Sequence, residues 1–227
     1  MTSTRLPGKV LADVEGEPML ALLLNRLRGA RRVGRAIVAT SIDAADDPIE
    51  ETVRALGFSV HRGPRDDVLT RTVRAVEGHS GPVVRITGDC PLTDPIIVDE
   101  VIDLFNRTAG CLYASNIEPR TYPDGLDVEV VSADVLAGLA QTAKDPADRE
   151  HVTTALRRNP RAYPSATLIR EQNLGMLRWT VDTAEDLEFL RRLVKRLGSR
   201  RHVAACDEIL AAVRAKPALA SFHGARG

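Results

Sequence analysis

The sequence predicts an α/β protein in which a mostly parallel sheet is flanked by helices. Two observations support this prediction. Short segments rich in β-branched residues alternate with helical patterns, and the strand-then-helix unit occurs four times in succession. The length of 227 residues suits one large domain with a substantial core. Because a helix between two strands usually returns the chain to a parallel neighbour, the repeated unit predicts parallel pairing.

The predicted elements follow in chain order. Six segments predict strands, at residues 35–41, 58–62, 82–87, 111–115, 126–131 and 177–181. Helical patterns cover residues 18–28, 46–56, 66–76, 94–105 and 183–197. Asp94 is expected to cap one helix ahead of Pro95, and Thr183 with Asp186 has the form of a capping box.

The regular alternation is interrupted after Ser115. Between residues 116 and 178 a stretch punctuated by Pro and Gly is followed by a polar helix, before the last strand returns. We therefore expect a single domain spanning residues 1–227, with an elaboration laid over the sheet at about residues 116–176.

Charge and composition exclude several classes of protein. Lys plus Arg and Asp plus Glu both number 31, so no net charge favours a nucleic acid or an anionic membrane. The apolar run at residues 19–24 is far too short to span a membrane, and no signal-peptide pattern precedes it. Cys90, Cys111 and Cys206 are spaced like neither metal ligands nor a disulfide framework. We expect a cytoplasmic protein that binds neither nucleic acid nor membrane.

The first residues form a cationic loop, STRLPGK, at residues 3–9. Arg5 and Lys9 flank a Pro-Gly pair that favours a tight turn, because Pro fixes φ and Gly permits a positive φ. Such a turn can aim both cations at one anion, although a solvated turn with two surface cations is the alternative. The loop lacks the spacing of a Walker motif, and the chain contains no GxGxxG.

Two carboxylates directly follow predicted strands. Gly88 and Asp89 follow the strand at residues 82–87, and Asp182 follows the strand at residues 177–181. Ligands of open α/β sheets bind at such strand ends, and Gly88 would let a ligand approach the backbone. A structural turn at Asp89 and a role for Asp182 at a helix N-terminus are the alternatives. With the cationic loop, the two carboxylates suit Mg²⁺ on a polyphosphate, because Mg²⁺ prefers one or two carboxylates, phosphate oxygens and water.

Six motifs occur in a fixed order along the chain: STRLPGK, VATS, RITGDCPL, YPDGLDVEV, REHVT and LRWTVDTAEDL. From residue 3 to about residue 197 they resemble the SpsF-type cytidylyltransferases of spore-coat and surface polysaccharides, which are related to CMP-Kdo and acylneuraminate cytidylyltransferases. The resemblance implies a nucleotide-diphospho-sugar transferase fold of the glycosyltransferase-A-like kind. It also implies a homodimeric, Mg²⁺-dependent enzyme that condenses CTP with an acidic or phosphorylated sugar-like acceptor and releases pyrophosphate.

Carried over position by position, the resemblance implies roles for residues on the nucleotide side. Arg5, Lys9 and Asp89 would be catalytic, and Asp89 with Asp182 would hold the Mg²⁺. The nucleotide would also be bound by Ser3, Gly8, Thr40, Ser41, Arg62, Arg71 and Gly88.

The resemblance also implies an acceptor side within residues 116–176, which would serve oligomerisation as well. The acceptor would be bordered by Tyr122, Asp124, Asp127, Glu129, Arg149, Glu150 and His151. Asp127 and Glu129 lie two apart on a predicted strand and are expected to share one face. His151 would deprotonate the acceptor or, alternatively, would be a surface histidine.

The chain departs from the family pattern in two places. Family members carry an apolar strand before the loop, so we expect this chain to lack the first strand of the sheet because its reading frame begins too late. An Asp expected soon after VATS is replaced by Ile42, and acids follow only at Asp43, Asp46 and Asp47. Two other functions stay open. One is a glycosyltransferase of the same fold, which normally shows Asp-x-Asp where this chain has GDCPL, and the other is a catalytically inactive nucleotide-binding homologue.

Overall fold

The structure is a computed structural model that describes residues 5–216 and residue 219. The strands are β1 (Asp13–Val14), β2 (Glu17–Pro18), β3 (Ile37–Ser41), β4 (Ser59–Gly63), β5 (Pro82–Arg85), β6 (Tyr113–Ser115), β7 (Glu129–Ser132) and β8 (Ser165–Thr167). The α-helices are α1 (Met19–Leu27), α2 (Asp47–Ala55), α3 (Val68–Ala75), α4 (Pro95–Arg107), α5 (Ala133–Thr142), α6 (Pro146–Glu150), α7 (Thr154–Arg158), α8 (Ala184–Leu197) and α9 (Cys206–Arg214). Short 3₁₀ helices occur at Lys9–Leu11, Ala44–Asp46 and Gly198–His202.

The strands form two main groups. β3 and β4 pair in parallel, and a four-stranded sheet has the order β5-β7-β6-β8, in which β6 and β8 are parallel. The predicted α/β class, with parallel strand pairs flanked by helices, is confirmed. β7 runs antiparallel to both β5 and β6. Residues 116–128, all of which are described, contain no helix, so the connection from β6 to β7 can reverse direction as in a hairpin.

The last predicted strand, at residues 177–181, is wrong as a regular strand. The structure shows one parallel bridge there, between Asp124 and Arg178. Asp124 N–H donates to the Leu177 carbonyl at 2.9 Å, and Trp179 N–H donates to the Asp124 carbonyl at 2.5 Å. The backbones approach so closely at Gly125, where φ is 108°, that a Cβ would lie 2.6 Å from Thr180 N. Only glycine fits this crossing, and the irregular segment around it interrupts the ladder.

Helix α1 is apolar on nearly every side because it lies between two cores. Leu20, Leu23 and Leu24 belong to a cluster that includes Val38 of β3 and Val60 of β4. Met19 and Leu22 face the main core, which also contains the buried Trp179. No helix in the described residues is both long enough and apolar enough to cross a membrane.

A buried arginine connects α1 to the distant end of the chain. Arg26 is fully buried, and its guanidinium donates to the carbonyls of Thr93, Arg201 and Ala204 at 3.0, 2.6 and 2.7 Å. Burial lowers its pKa to about 10, against the opposing effect of nearby Asp94 and Glu208. The group stays charged at neutral pH and is satisfied by carbonyl oxygens.

Two helix starts that the sequence predicts are confirmed, and one serves two helices. The Asp94 carboxylate accepts from Ile96 N–H at 2.9 Å at the start of α4, and from Cys206 N–H at 2.6 Å at the start of α9. Thr183 and Asp186 form the predicted capping box of α8. α4, α8 and α9 all contribute buried side chains to the main core.

Candidate active site

The cationic loop forms the turn that its Pro-Gly pair predicts. Gly8 has a φ of 74°, in the region that favours glycine, and the 3₁₀ helix Lys9–Leu11 follows directly. The turn brings Lys9 Nζ to 2.9 Å from Asp182 Oδ1 and 3.5 Å from Asp89 Oδ2. Arg5 lies 3.3 Å from the same oxygen of Asp182 and is 65% exposed at its side chain, against 12% for Lys9. The four charged residues predicted to act together are therefore neighbours, although 173 residues separate Lys9 from Asp182.

Asp89 is fixed by the turn that ends its strand. Thr87 Oγ1 donates to Asp89 Oδ1 at 2.5 Å, and Val181 N–H donates to the Asp89 carbonyl at 2.9 Å. This second bond holds the two strand ends side by side. Burial alone would raise the pKa of Asp89, but the hydrogen bond from Thr87 and the charge of Lys9 lower it below its ordinary value. Asp89 is thus a carboxylate at neutral pH.

Asp182 is positioned by the first turn of α8. Its own N–H and that of Thr183 both donate to Asp186 Oδ2 at 2.9 Å. Arg178, which the sequence did not single out, forms an ion pair with Asp186 and lies 3.7 Å from Asp182 Oδ2. Because the start of α8 fixes the backbone at Asp182, the Asp182 side chain can contact Arg5 and Lys9 of the cationic loop.

Asp89 and Asp182 are the side chains that could hold a divalent cation at this place. Both already lie around one positive charge, the ammonium of Lys9. Nowhere in residues 5–216 or at residue 219 do three or more His, Cys, Asp or Glu side chains gather as a metal site. Two carboxylates fit Mg²⁺, which completes its coordination with phosphate oxygens and water.

Thr40 and Ser41, at the end of β3, are buried and bound to a carboxylate. Both hydroxyls donate to Asp46 Oδ2 at 2.7 Å, and Ser41 N–H donates to it at 3.0 Å. Burial opposes ionisation of Asp46, but hydrogen bonds from Ser41 and Thr40 lower its pKa well below the ordinary range. Of the three acidic residues that follow the VATS motif, Asp46 is therefore the one whose carboxylate binds the hydroxyls of Thr40 and Ser41.

Arg62 and Arg71 both support the backbone beside this strand end. Arg62 donates to the carbonyls of Ser41 and Asp43 at 2.8 and 2.7 Å, and pairs with Asp47 and Glu50 at 2.5 and 3.0 Å. Arg71 donates to the carbonyls of residues 64 and 65 at 2.6 and 2.9 Å. Its buried Nε has no hydrogen-bond partner among the described residues.

A polar cavity of about 360 Å³ adjoins the carboxylate pair. Its lining comprises Arg85, Thr87, Ile117, Arg120, Asp127, Glu129, His151, Thr153, Thr154 and Arg157. Thr87 connects the two places, because it lines the cavity and also donates to Asp89. Asp127 and Glu129 both line the cavity, as their spacing predicts.

The carboxylates of the cavity are engaged with arginines. Glu129 pairs with Arg85 at 2.5 Å and accepts from the Tyr113 hydroxyl at 2.8 Å. Asp127 accepts from both terminal nitrogens of Arg120, one of them at 2.8 Å. Burial and the charge of Glu129 raise the pKa of Tyr113, so its hydroxyl remains a donor. These pairs hold the carboxylates in fixed positions.

His151 and Thr153 reach the cavity through a strained turn. Val152 has a φ of 47°, which β-branched residues avoid, and Thr153 N–H donates to the His151 carbonyl at 2.5 Å across it. Val152 is 1% exposed and belongs to a hydrophobic cluster that includes Tyr113, Val131 and Leu156, so packing holds the turn. The turn leaves His151 exposed at the cavity and Thr153 buried in its wall.

The other predicted residues lie elsewhere. Tyr122 is buried in the main core, and Asp124 lies 3.5 Å from Arg120. Arg149 binds Asp67 at 2.6 Å and thereby joins α6 to α3, whereas Glu150 is exposed. Gly88 faces Val10, where a Cβ would make an ordinary contact at 3.5 Å. Ser3 lies outside the described residues.

Seven lining residues were not among the predicted site residues, namely Arg85, Thr87, Ile117, Arg120, Thr153, Thr154 and Arg157. A signal existed for two of them. Arg85, Thr87 and Asp89 alternate in RITGD, so they share a face where the strand continues. No local pattern marks Arg120 or Arg157, because the fold alone brings their segments to β5.

A cationic turn over two strand-end carboxylates, beside a polar cavity, suits an enzyme that transfers phosphoryl or nucleotidyl groups. The chain matches the family model of cytidylyltransferases over residues 1–210. It is 33% identical over 218 residues to the spore coat polysaccharide biosynthesis protein SpsF of Bacillus subtilis (strain 168), with 92% of this chain and 89% of that protein covered. It is 32% identical over 216 residues to the 3-deoxy-manno-octulosonate cytidylyltransferase of Rhizobium etli, with 85% of this chain and 79% of that protein covered.

Among solved structures, a cytidylyltransferase from Leptospira borgpetersenii serovar Hardjo-bovis superimposes with a TM-score of 0.92 at 28% identity, covering 100% of this chain and 94% of that one. The chain belongs to the cytidylyltransferase family. The predicted family resemblance, the nucleotide-diphospho-sugar transferase fold and the nucleotidyltransferase class are confirmed. Neither the glycosyltransferase nor the inactive homologue gains support from these comparisons.

Proposed function

We propose that this protein transfers the cytidylyl group of CTP to a hydroxyl of an acidic or phosphorylated sugar-like acceptor and releases pyrophosphate. The observation that carries the proposal is the position of Lys9 between Asp89 and Asp182, directly beside the polar cavity. The bond between the α- and β-phosphates breaks as the acceptor oxygen bonds to the α-phosphorus. The product would serve polysaccharide or glycoconjugate synthesis, the process named for the SpsF relative.

The triphosphate is held by the cationic loop. Arg5 and Lys9 bind its oxygens, and the positive φ of Gly8 gives the turn that aims them. Ser3 belongs to the same loop. The ammonium of Lys9 orients the leaving phosphates, because Asp182 holds it at 2.9 Å. Charge neutralisation and positioning are the main work in such transfers.

Asp89 and Asp182 would hold Mg²⁺. When bound there, Mg²⁺ would supply charge neutralisation at the phosphate oxygens, worth several kcal/mol to the transfer. Thr87 orients Asp89 for this task, and Asp186 orients the backbone of Asp182. On the base side, Asp46 fixes Thr40 and Ser41 at the end of β3, with Arg62, Arg71 and Gly88 nearby in the proposed nucleotide site.

The acceptor binds in the cavity. Asp127 and Glu129 form one wall, and His151, which also lines the cavity, would accept the proton of the attacking hydroxyl. Segment 116–176 then forms the acceptor side of a single domain and contributes to a homodimer. A cytoplasmic location is supported by the three cysteines, which are buried free thiols.

The test is nucleotide-dependent thermal stabilisation with CTP, UTP, ATP or GTP, each with and without Mg²⁺. A ligand at about 100 times its Kd adds about 2.7 kcal/mol to the stability of the folded state, so selective CTP binding is easily seen. Lys9→Met is expected to abolish the CTP effect, whereas the control Lys144→Met, at an exposed position, keeps it. Equal stabilisation by all four nucleotides, or by none, would contradict the proposal.

A further inference from the structure

We propose that the ammonium of Lys9 occupies the place of the metal ion between Asp89 and Asp182, and that it moves out of this place when the triphosphate binds. The inference rests on the proposed function, because it concerns the order in which the metal and the nucleotide reach that site. Its consequence is that the protein binds the metal weakly without nucleotide.

The ammonium and a bridging metal ion need the same space. Lys9 Nζ lies 2.9 Å from Asp182 Oδ1 and 3.5 Å from Asp89 Oδ2. A divalent cation held by both carboxylates must also lie between them. Because two cations repel each other strongly at such short distances, Lys9 in this position excludes the metal.

The other two carboxylate oxygens are turned to other partners. Thr87 Oγ1 donates to Asp89 Oδ1 at 2.5 Å, and Arg178 lies 3.7 Å from Asp182 Oδ2. The two oxygens that contact Lys9 are therefore the ones that a bridging cation would use.

The charges around the two carboxylates are balanced without a ligand. The described ion pairs of this cluster join three cationic side chains to three carboxylates, namely Arg5, Lys9, Arg178, Asp89, Asp182 and Asp186. A cluster with balanced charge attracts a divalent cation only weakly. A triphosphate changes the balance, because Arg5 and Lys9 can then turn to phosphate oxygens and leave negative charge on the carboxylates.

The side chain of Lys9 can move while its backbone stays in place. Its ammonium is carried by a flexible stem of four carbons. The backbone is held by the 3₁₀ helix Lys9–Leu11 and by the hydrogen bond from Lys9 N–H to the Leu6 carbonyl at 3.2 Å. The two strand ends stay together as well, because Val181 N–H donates to the Asp89 carbonyl at 2.9 Å. The carboxylates can therefore keep their positions while one cation replaces another.

This exchange of cations couples the binding of metal and nucleotide. A triphosphate that draws Lys9 away from the carboxylates strengthens metal binding. By thermodynamic reciprocity, the metal strengthens CTP binding by the same factor. Lys9 thus keeps the metal from the carboxylates until the nucleotide is bound.

The first experiment titrates the protein with Mn²⁺ alone, which takes the oxygen ligands that Mg²⁺ takes, and measures the free ion by electron paramagnetic resonance. Lys9→Met should bind Mn²⁺ at least about 10-fold more tightly than the wild type, because the substitution removes a positive charge from between two carboxylates. Addition of Asp89→Asn to Lys9→Met should cancel the gain. Lys144→Met, which removes the same charge at an exposed position, is the matched control and should bind Mn²⁺ like the wild type.

A second measurement uses the wild type and does not depend on the folding of a Lys9 variant. The chain contains only four lysines, so the NMR signal of the Lys9 ε-carbon can be assigned by substituting the other three, Lys144, Lys195 and Lys216. We expect Mg²⁺ alone to leave this signal unchanged and CTP with Mg²⁺ to shift it.

An affinity of Lys9→Met for Mn²⁺ no higher than that of the wild type would overturn the inference. A shift of the Lys9 signal by Mg²⁺ alone would overturn it as well. If CTP still stabilises the wild type in either case, the proposed function stands. Loss of CTP stabilisation in the wild type would remove the proposed function, and with it the release of Lys9 by the nucleotide.

Discussion

A single ammonium group organises the carboxylates at the centre of the site. Lys9 contacts both Asp89 and Asp182, and it is far less exposed than Arg5. Two carboxylates so close together would repel each other without a cation between them. The ammonium of Lys9 therefore offsets the negative charge of both carboxylates in the free protein, in a place where the charges of a metal and a triphosphate are expected to meet.

Asp89→Asn is expected to impair activity far more than folding. The amide of asparagine has the shape of the carboxylate, and its oxygen can still accept the hydrogen bond from Thr87. The substitution nevertheless removes one of the two carboxylates from the proposed Mg²⁺ site. Pyrophosphate release should fall at least about 100-fold, in keeping with the several kcal/mol that a metal supplies. The free energy of unfolding in urea should change by about 1 kcal/mol or less, because the side chain of Asp89 is partly exposed.

The matched control is Asp134→Asn, which removes an exposed carboxylate at the start of α5. It is expected to leave both measurements unchanged. Near-normal release by Asp89→Asn in saturating Mg²⁺ would show that Asp89 is not a metal ligand.

At the scale of elements, one ion pair joins α6 to α3. Arg149 binds Asp67 at 2.6 and 3.0 Å and also donates to the carbonyls of Ala140 and Ala143 at 3.3 and 2.8 Å. Asp67 in turn caps α3 through Thr70 N–H at 2.9 Å. The helix that precedes the turn at Val152, and hence His151, depends on this contact for its position.

Arg149→Met is expected to lower the free energy of unfolding by about 2 kcal/mol at pH 7, since it removes several hydrogen bonds from a charged group. Burial opposes ionisation of Asp67, but hydrogen bonds from Thr70 and Arg149 lower its pKa in the folded protein. The stabilisation is therefore complete above the ordinary pKa of an aspartate and is lost as pH falls through the lowered value. The difference between wild type and Arg149→Met should shrink below about pH 4.

Urea titrations at several pH values measure this effect. Arg54→Met is the comparison, because the exposed Arg54 side chain pairs with Glu50 four residues earlier on α2. Its loss should cost much less than the loss of Arg149, because the charge of Arg54 is screened by solvent. Equal costs for the two substitutions would contradict a structural role for Arg149.

The elements show how far local sequence can predict this fold. Strand and helix patterns identified β3 to β5, α2 to α4 and α8, because period and capping residues act within one segment. The segment at residues 177–181 was not a regular strand, since the close crossing at Gly125 depends on two distant pieces of chain. The lining of the cavity could be predicted only in part for the same reason. Asp127 and Glu129 lie in one sequence motif, YPDGLDVEV, whereas Arg157 joins them only in the folded molecule.

At the scale of the whole molecule, Arg26 links the first helix to the segment before α9. Its three carbonyl partners come from residues 93, 201 and 204. Asp94, next to one of them, caps both α4 and α9. The early and late parts of the chain are therefore joined by polar contacts inside one apolar core.

Arg26→Met is expected to lower the free energy of unfolding by about 3 to 5 kcal/mol, because it leaves buried carbonyls without donors. Arg26→Lys should restore only part of this loss, since an ammonium cannot reproduce the spread of the guanidinium donors. Urea unfolding at pH 7 measures both variants, with the exposed Arg31→Met as the control. A cost below about 1 kcal/mol for Arg26→Met would show that water replaces the guanidinium.

The contact between Arg26 and Ala204 also has a consequence for biosynthesis. The two residues are 178 positions apart. At about 5 to 20 residues per second, roughly 10 to 35 seconds of translation separate them on the ribosome. During that interval the guanidinium has no carbonyl from the late segment to bind, and the apolar faces of α1 have no completed core to cover them. In the growing chain, the apolar surface of α1 is therefore expected to be prone to aggregation until the last helices have emerged.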